Sequence, residues 1–319
     1  NDGCLTFLGQ PSQAKLFDND GAGFYTDVTA TRAPVELYNC QDIIAFDYDG
    51  DFELDLALSG FGDATKRSSV WLNYGAGSFT VDATLDQLCT ANSYEVDWSD
   101  LDGDGDWDAA VQSISGSGFG SDEGWAENRG LGTPPPETTF SGANGNDDNE
   151  MASFDYDMDG DMDVFVGSLN ANREKVYQQD AVGVFNRVNI FQAITDSTLD
   201  LAFADFDDDG RYDVVTAQGE SGLQTNKIYD NTGPVDTLPP RILAAEVPAA
   251  LGASETVFRI MIQDAWVDDG LTSADVAFDW TTFAGGVAQS SASGDAFFMG
   301  GGMFRVAVPT GAGTEGVRL

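Results

Sequence analysis

The 319-residue sequence contains no histidine. That absence excludes Ser-His-Asp and Cys-His catalysis and every zinc site that needs an imidazole ligand. No apolar run approaches the ~18 residues of a membrane-spanning helix, so we predict no membrane insertion. Basic residues are few, with 14 Lys and Arg against 54 Asp and Glu and a net charge of −40. Because such a charge repels phosphates, we predict no nucleic-acid partner.

Cysteine is also scarce, with only Cys4, Cys40 and Cys89. In an oxidising compartment an odd number of cysteines allows one pair and leaves one thiol over. Cys40 and Cys89 precede strands in comparable loops, which makes them the candidate disulfide, and the sequence leaves that pairing open. The chain begins at Asn1 with neither an initiator Met nor a charged-then-apolar leader, so the sequence gives no basis for assessing a signal peptide. We expect that an amino-terminal portion is missing, because the repeat spacing places one acidic loop before Asn1.

Acidic residues are abundant, and 20 of the 54 fall in the four stretches 47–55, 100–108, 155–163 and 205–213. Each stretch has Asp at positions 1, 3, 5 and 9. Carboxylate oxygens on a tight turn are the hard ligands that Ca²⁺ prefers, so we interpret the stretches as loops for about four calcium ions. They close with Asp at position 9 and continue into apolar runs suited to strands, which disfavours a helical EF-hand switch. The other 34 acids are explained by solubility in a salty or calcium-rich medium, with a cation-binding surface as the alternative.

Position 6 is Gly in three of the loops, and Gly adopts a positive φ without strain. The loop at 47–55 has Phe52 there, where a bulky side chain at positive φ is costly. We therefore predict that this loop binds more weakly, or through a backbone adjusted at Gly50. Because crowded carboxylates repel one another, we also predict that an empty loop frays and that bound Ca²⁺ pins the hairpin, which is a structural role.

The loops start 53, 55 and 50 residues apart, a spacing typical of β-propeller blades. Short apolar runs precede and follow each loop and predict the strands of a hairpin. The preceding runs are 43–46, 94–96, 151–154 and 201–204, and the following runs are 56–58, 109–111, 164–166 and 214–216. A second marker, an aromatic strand followed by an Asn, Asp or Gly turn, comes after each loop and predicts a second hairpin. Each unit is thus predicted to be a four-stranded blade.

The same marker occurs at 16–24 with no acidic loop before it, which predicts a partial blade at the start of the chain. The last unit has a third strand and then runs into Pro234, with no evident fourth strand. A segment from nearer the amino terminus is a natural substitute, and Phe24–Val28 is our candidate. We expect this first domain to span 1–235.

After Pro239 and Pro240 the acidic pattern stops, and we place a second domain at 241–319. The runs 257–262, 276–280 and 303–308 predict strands separated by Gly- and Asp-containing turns. They indicate an all-β sandwich, which we expect to lack its final strands.

The repeated D-x-D-x-D-G-x-x-D pattern resembles the FG-GAP/VCBS repeats of integrin alpha-subunit-like β-propellers, over roughly residues 1–233. The resemblance implies an all-β propeller with four calcium-loop blades and a partial blade, where such propellers have about seven blades. It implies side-chain ligands at positions 1, 3, 5 and 9, namely Asp47, Asp49, Asp51, Asp55, Asp100, Asp102, Asp104, Asp108, Asp155, Asp157, Asp159, Asp163, Asp205, Asp207, Asp209 and Asp213. It also implies a backbone carbonyl ligand from position 7, namely Glu53, Asp106, Asp161 and Arg211.

The stretch Met299–Arg305 resembles the fibronectin-type-III-like modules that follow such propellers in secreted bacterial proteins. Both resemblances imply a secreted or cell-surface protein that binds an extracellular protein or a glycan through a calcium-stabilised adhesion module. Two alternatives remain open. One is part of a calcium-dependent polysaccharide-degrading enzyme, which a cluster of carboxylate, Tyr and Lys side chains on the loop face would favour. The other is a structural spacer in a large surface protein.

A rigid scaffold presents its ligand-binding residues on loops, and here the longer connections fall on the face opposite the acidic loops. These connections are 59–69, 112–124, 133–150, 168–174 and 218–226. Phe61, Phe119, Phe140 and Arg173 are the candidate contact residues there, against the simpler reading that they are ordinary loop residues.

Overall fold

The structure, a computed structural model, describes residues 13–36, 40–60, 68–75, 77–81, 94–112, 123–133, 135–144, 148–169, 173–192, 194, 196–219, 222–264, 276–311 and 313–319. Strands dominate these residues, which confirms the predicted all-β class, and the one described helix, α1 (Thr29–Arg32), has four residues. No helix in the described part of the chain is long and apolar enough to cross a membrane. The chain divides into two compact units, Asn1–Leu238 and Pro239–Leu319.

The first unit contains five small antiparallel sheets whose strands are consecutive in sequence. The first sheet is the two-stranded pair β1 (Phe17–Asn19) and β2 (Tyr25–Asp27). The next two have four strands each: β3 (Cys40–Phe46), β4 (Asp55–Gly60), β5 (Ser69–Asn73) and β6 (Phe79–Val81), then β7 (Val96–Ser99), β8 (Asp108–Val111), β9 (Gly124–Ala126) and β10 (Glu137–Thr139). The last two are β11 (Asp148–Phe154), β12 (Asp163–Ser168), β13 (Lys175–Ala181) and β14 (Val184–Val188), then β15 (Thr198–Ala204), β16 (Asp213–Gln218) and β17 (Lys227–Tyr229).

Every acidic loop connects the first and second strands of a sheet, as the flanking apolar runs predict. One strand is displaced from its prediction: the strand before the second loop is Val96–Ser99 rather than 94–96. The strand was not predicted at these residues because Asp97, a polar residue, lies inside it. Its carboxylate is buried and accepts a hydrogen bond of 2.6 Å from the Ser153 amide on β11, so this position looks like a loop residue in sequence but packs as a core residue.

The first strands of successive sheets lie side by side. Phe46 on β3 stacks on Trp98 of β7 with 4.3 Å between ring centroids, and Phe154 on β11 stacks on Phe203 of β15 at 4.8 Å. The hydrogen bond from β11 to Asp97 joins the intervening pair of sheets. Buried aromatic stacking and one hydrogen bond from a backbone amide to a carboxylate therefore connect four sheets in sequence order.

The sheet β15–β17 has three strands among the described residues, as predicted. The predicted donor of its fourth strand is wrong: β2 pairs with β1, from Phe17 opposite Asp27 to Asn19 opposite Tyr25, and with no other described strand. The physical reason is local. A tight turn closed by the Asp20 amide and the Phe24 carbonyl brings β1 and β2 together, and a short loop costs less closure entropy than pairing across the domain.

The second unit contains two antiparallel sheets, ordered β18-β19-β23-β22 and β21-β20-β24. Their strands are β18 (Arg241–Ala245), β19 (Glu255–Gln263), β20 (Ala277–Ala284), β21 (Val287–Asp295), β22 (Phe297–Gly300), β23 (Met303–Pro309) and β24 (Gly316–Arg318). The three runs predicted as strands overlap β19, β20 and β23 in that order. Side chains from both sheets, including Phe258, Phe278 and Phe304, share one apolar core, which is the burial expected of a two-layered unit.

Candidate metal centres

The Asp at position 1 of each acidic loop organises the turn through the amides that follow it. In the first loop the Asp47 carboxylate accepts hydrogen bonds from Gly50 and Phe52, both at 2.9 Å. Asp155 accepts from the amides of Asp159 and Gly160, and Asp205 accepts from the equivalent pair in the fourth loop. Each carboxylate thus satisfies backbone donors that the tight turn leaves without strand partners.

The Asp at position 9 joins its loop to the third strand of the same sheet. Its carboxylate accepts the amide of position 2 and the amide of an Asn or Gln at the end of the third strand. In the second loop the distances are 3.0 Å from Leu101 and 2.8 Å from Asn128 to Asp108. The same two bonds recur in the other three loops, on Asp55, Asp163 and Asp213.

The amide side chain of that Asn or Gln makes a further bond to a loop carbonyl. Asn73, Gln179 and Asn231 each donate to the carbonyl of position 8 in their own loop, at 3.1 Å. Asn128 donates instead to the Tyr48 carbonyl in the loop of the neighbouring sheet, also at 3.1 Å. Sequence reasoning interpreted these residues as turn formers and missed this role, although their recurrence 16 to 20 residues after position 9 was visible.

Two positions in every loop have a positive φ, not one. Position 6 was predicted, and Phe52 there adopts a φ of 64°. Position 4 was not predicted, yet Gly50, Gly103, Met158 and Asp208 take φ values of 76°, 80°, 57° and 61°. The loop at 47–55 keeps the position-1 bonds of the other loops, so its backbone is not adjusted through Gly50. The strain falls on Phe52.

The loops bring three carboxylates together in each sheet. One oxygen each from positions 1, 3 and 9 lies within 4.8 Å of the other two. The sets are Asp47, Asp49 and Asp55; Asp100, Asp102 and Asp108; Asp155, Asp157 and Asp163; and Asp205, Asp207 and Asp213. Two oxygens that bind one Ca²⁺ at 2.3–2.6 Å are at most about 5 Å apart, so the spacing and the all-oxygen donor set fit this ion.

Position 5 lies outside these sets of three. Its carboxylate accepts the amide of position 7 in all four loops, at 2.8 Å from Glu53 to Asp51 and at 3.0 to 3.2 Å in the others. Among the position-7 residues, Arg211 is held by Asp209 and by the Gly233 carbonyl. In the third loop, Asp157 and Asp161 each keep one buried oxygen without a hydrogen-bond partner, which leaves acceptor capacity inside the loop.

Burial raises the pKa of five carboxylates at positions 1 and 9 of the first three loops, and repulsion from neighbouring acids adds to it. The pKa of Asp55 is raised to about 7, that of Asp108 to about 8 and that of Asp163 to about 9, although backbone hydrogen bonds oppose the shift. Position 1 shows the same direction, to about 6 for Asp47 and Asp155. Without a cation, Asp108 and Asp163 would hold protons near neutral pH, and a divalent cation would replace those protons.

A second set of acids lies in or next to the first strands, five residues before each loop: Asp42, Glu95, Glu150 and Asp200. The Glu95 carboxylate accepts the Met151 amide at 2.8 Å, and its carboxyl group is hydrogen bonded to that of Glu150. Burial, with the charges of neighbouring acids, raises the pKa of Glu95 and raises that of Glu150 to about 8. Sequence reasoning missed this set, although the fourfold spacing was present.

One of the candidate contact residues on the face opposite the acidic loops was predicted wrongly. Phe140 is buried and packs on Tyr177 and Phe185, with ring centroids 4.8 and 4.9 Å apart, so it is a core residue. Arg173 is partly exposed and donates to Asn189 at 3.2 Å. Phe61 and Phe119 lie outside the described residues. So does Cys89, and with it the predicted pairing with Cys40.

A lysine is buried near this face, and the sequence did not predict its burial. Lys175 contacts the carboxylates of Glu123 and Asp148, and Tyr177 donates to Glu123 at 2.9 Å. Burial raises the pKa of Asp148; for Glu123 the hydrogen bond from Asp148 and the charge of Lys175 outweigh burial and lower its pKa. All four side chains are buried, so the cluster joins two sheets and offers no exposed reactive group among the described atoms.

Comparison with known proteins supports one part of the predicted resemblance. Residues 155–216 match the family model of an FG-GAP-like repeat, so this stretch, from the third acidic loop to β16, carries a repeat of the FG-GAP/VCBS type. FG-GAP repeats are typical of extracellular proteins. No curated protein matches the sequence.

The structure is also similar to a crystal structure of the exo-β-1,3-galactanase from Phanerochaete chrysosporium with β-1,3-galactotriose. The identity is 11%, the match covers 89% of this chain and 92% of that chain, and the TM-score is 0.39. At that score the likeness supports no argument about fold or activity.

Proposed function

We propose that this chain is a calcium-stabilised extracellular binding module in which the sheets of the first unit are blades of a β-propeller. Each of the four loops holds one Ca²⁺ in a structural role. The carboxylates of positions 1, 3 and 9 supply ligands, with the position-5 carboxylate and position-7 carbonyl completing the set. The extracellular setting agrees with the calcium requirement, because calcium is plentiful there and intracellular calcium is not.

The observation that supports this proposal is the fourfold identity of the position-9 bonds. In every loop the same carboxylate accepts one amide from the turn and one from the third strand. A surface turn that alternates acids by chance has no reason to repeat this connection. Because position 9 also belongs to the three-carboxylate set, an ion bound there stabilises three strands at once.

Charge neutralisation is what the ion contributes. Each loop concentrates at least four acids, and the cost of burying their charges appears in the first three loops as the raised pKa of Asp47, Asp108 and Asp163. A divalent cation offsets that repulsion and stabilises the folded state by mass action, since the unfolded chain does not hold the carboxylates together.

Thermal unfolding of the whole chain in calcium and in excess chelator tests the structural role. We expect a lower midpoint in chelator, restored by added calcium and not by the same concentration of magnesium, which demands tighter octahedral geometry. Metal analysis of the dialysed chain gives the stoichiometry independently. An unchanged midpoint together with a metal-free chain would contradict the proposal.

The ligand is an extracellular protein or a glycan, bound on the face opposite the acidic loops. A screen of glycans and extracellular proteins, with and without calcium, tests this part, with release of shorter sugars as the sign of an enzyme. The buried Lys175 cluster does not favour the enzyme alternative, because its members are withdrawn from solvent. A chain that binds nothing and cleaves nothing in the screen would support the spacer alternative.

A further inference from the structure

The outer edge of β17 has no partner strand among the described residues. In the sheets that begin with β3, β7 and β11, a fourth strand pairs with the third. Within the described residues no strand pairs with the outer side of β17, whose Ile228 side chain is 64% exposed. Backbone groups along an uncovered strand edge are a template for pairing with another chain.

A cavity of about 550 Å³ adjoins this edge. It lies between the sheets β11–β14 and β15–β17, and its apolar walls include Phe165, Phe191, Ile228 and Tyr229. Phe191 and Tyr229 are in contact, with ring centroids 4.8 Å apart. An open, aromatic-lined cavity of this size accommodates one or two large side chains.

The complete sheets show what occupies the corresponding place. In the sheet β3–β6 the fourth strand puts Phe79 opposite Asn73, and in β11–β14 it puts Phe185 opposite Gln179. Phe185 is buried against Trp125 of the neighbouring sheet, and Phe79 packs on Trp71. Asn231 is the equivalent of Asn73 and Gln179, and it lines the cavity with no described aromatic residue paired opposite it.

Charge indicates the kind of strand that fits. Asp157 and Asp230 are the charged residues among the described residues that line the cavity, and the whole chain carries −40. Asp157 belongs to an acidic loop proposed to bind calcium, so the attraction of a positive segment in calcium rests on Asp230 and on the net charge. A second copy of this chain would bring the same charge and be repelled. A positively charged segment would be attracted, with its rate of association raised by the field of the protein.

We propose that the β17 edge and its cavity accept an extended, positively charged polypeptide strand from another protein, which pairs as a fourth strand and inserts an aromatic side chain. This is β-strand addition, in which backbone hydrogen bonds supply affinity and the cavity supplies selectivity. A three-residue edge is long enough in this fold, because β9 and β10 pair over three residues. The inference does not depend on calcium in the loops or on a ligand at the opposite face.

A labelled peptide tests the proposal on the whole chain in calcium-containing buffer. The probe carries the β14 sequence Gly-Val-Phe-Asn-Arg-Val between two pairs of lysines. We expect saturable binding by fluorescence anisotropy that weakens as salt is added. A probe with Asp in place of Phe, and one flanked by glutamates, should each bind about tenfold more weakly or not at all.

Two variants locate the site. Ile228→Lys adds a charge to the exposed edge and should weaken binding of the probe about tenfold. Val184→Lys makes the same change at an exposed residue of β14, outside the cavity, and should leave binding unchanged. Hydrogen exchange gives a readout free of substitutions, since the bound probe should slow exchange in the segment 224–234 of the natural chain.

Equal binding to both variants, or binding without slower exchange at 224–234, would overturn the proposal. So would a dimer that Ile228→Lys dissociates, since the occupant would then be a second copy. If the natural chain fails to bind and deletion of residues 1–12 restores binding, the chain's own segment is the occupant and the proposal is likewise overturned.

Discussion

The first two acidic loops share the two position-9 hydrogen bonds and differ in the residues at their strained positions. In the loop at 100–108, Gly103 and Gly105 take both positive φ values, 80° and 98°. In the loop at 47–55, Gly50 takes one and Phe52 takes the other. The turn therefore forms without Gly at position 6, and the Phe52 amide donates to Asp47 in the strained conformation.

The largest expected loss of stability comes from removing the position-9 hydrogen bonds that the two loops share. Asp55→Ala and Asp108→Ala each leave two buried amides without an acceptor, which costs about 3 kcal/mol of stability even before calcium is considered. We expect equal losses in the two loops by chemical denaturation in chelator. A loss of stability at one loop and none at the other would contradict this expectation. Asp20→Ala, in the exposed turn after β1, is the matched control and should cost much less.

A smaller effect on stability, its dependence on pH, is expected from the acids that precede the second loop. Glu95, before the second loop, is hydrogen bonded to Glu150, whose pKa is raised by burial to about 8. A folded pKa above the unfolded value of 4.5 means that the protonated group stabilises the fold at low pH, and that this contribution is lost as pH rises through about 8. We therefore expect stability in saturating calcium to fall between about pH 5 and 8.

The Glu150→Gln variant isolates this contribution, because a neutral amide at this position cannot lose a proton. Its stability should depend less on pH than that of the natural chain, as measured by denaturation at each pH. Asp42→Asn, before the first loop, is the comparison, since the charge of Asp42 raises the pKa of both carboxyls. A Glu150→Gln variant whose pH dependence equals that of the natural chain would refute this account of the Glu150 carboxyl.

The smallest change in stability is expected from substitutions at the strained residues, and its sign should differ between the two loops. Phe52→Gly relieves a positive φ and should raise stability by about 1 kcal/mol, whereas Gly105→Ala imposes one and should lower stability by about 1 kcal/mol. Titration with calcium should show the first loop binding more tightly after Phe52→Gly. If both substitutions destabilise, the Phe52 side chain contributes packing that outweighs its strain.

The recurring motifs made much of the first unit predictable. Acids at positions 1, 3, 5 and 9 with flanking apolar runs predicted four hairpins, and all four are present. The prediction failed where a residue's environment depended on a distant strand. Asp97 and Phe140 lie in stretches that look like loops, yet one is fixed by the Ser153 amide and the other by Tyr177. The buried cluster of Lys175 was hidden for the same reason, since Glu123 is 52 residues away.

Local spacing and turn chemistry in the sequence predicted the all-β class, the positions of the acidic loops and a last sheet of three strands, which is what the described residues form. The tertiary structure was needed to show that position 9 ties its loop to an Asn or Gln about 18 residues later and that a cavity opens beside β17. These depend on which surfaces meet when sheets pack, and spacing along the chain does not encode the meeting of distant surfaces.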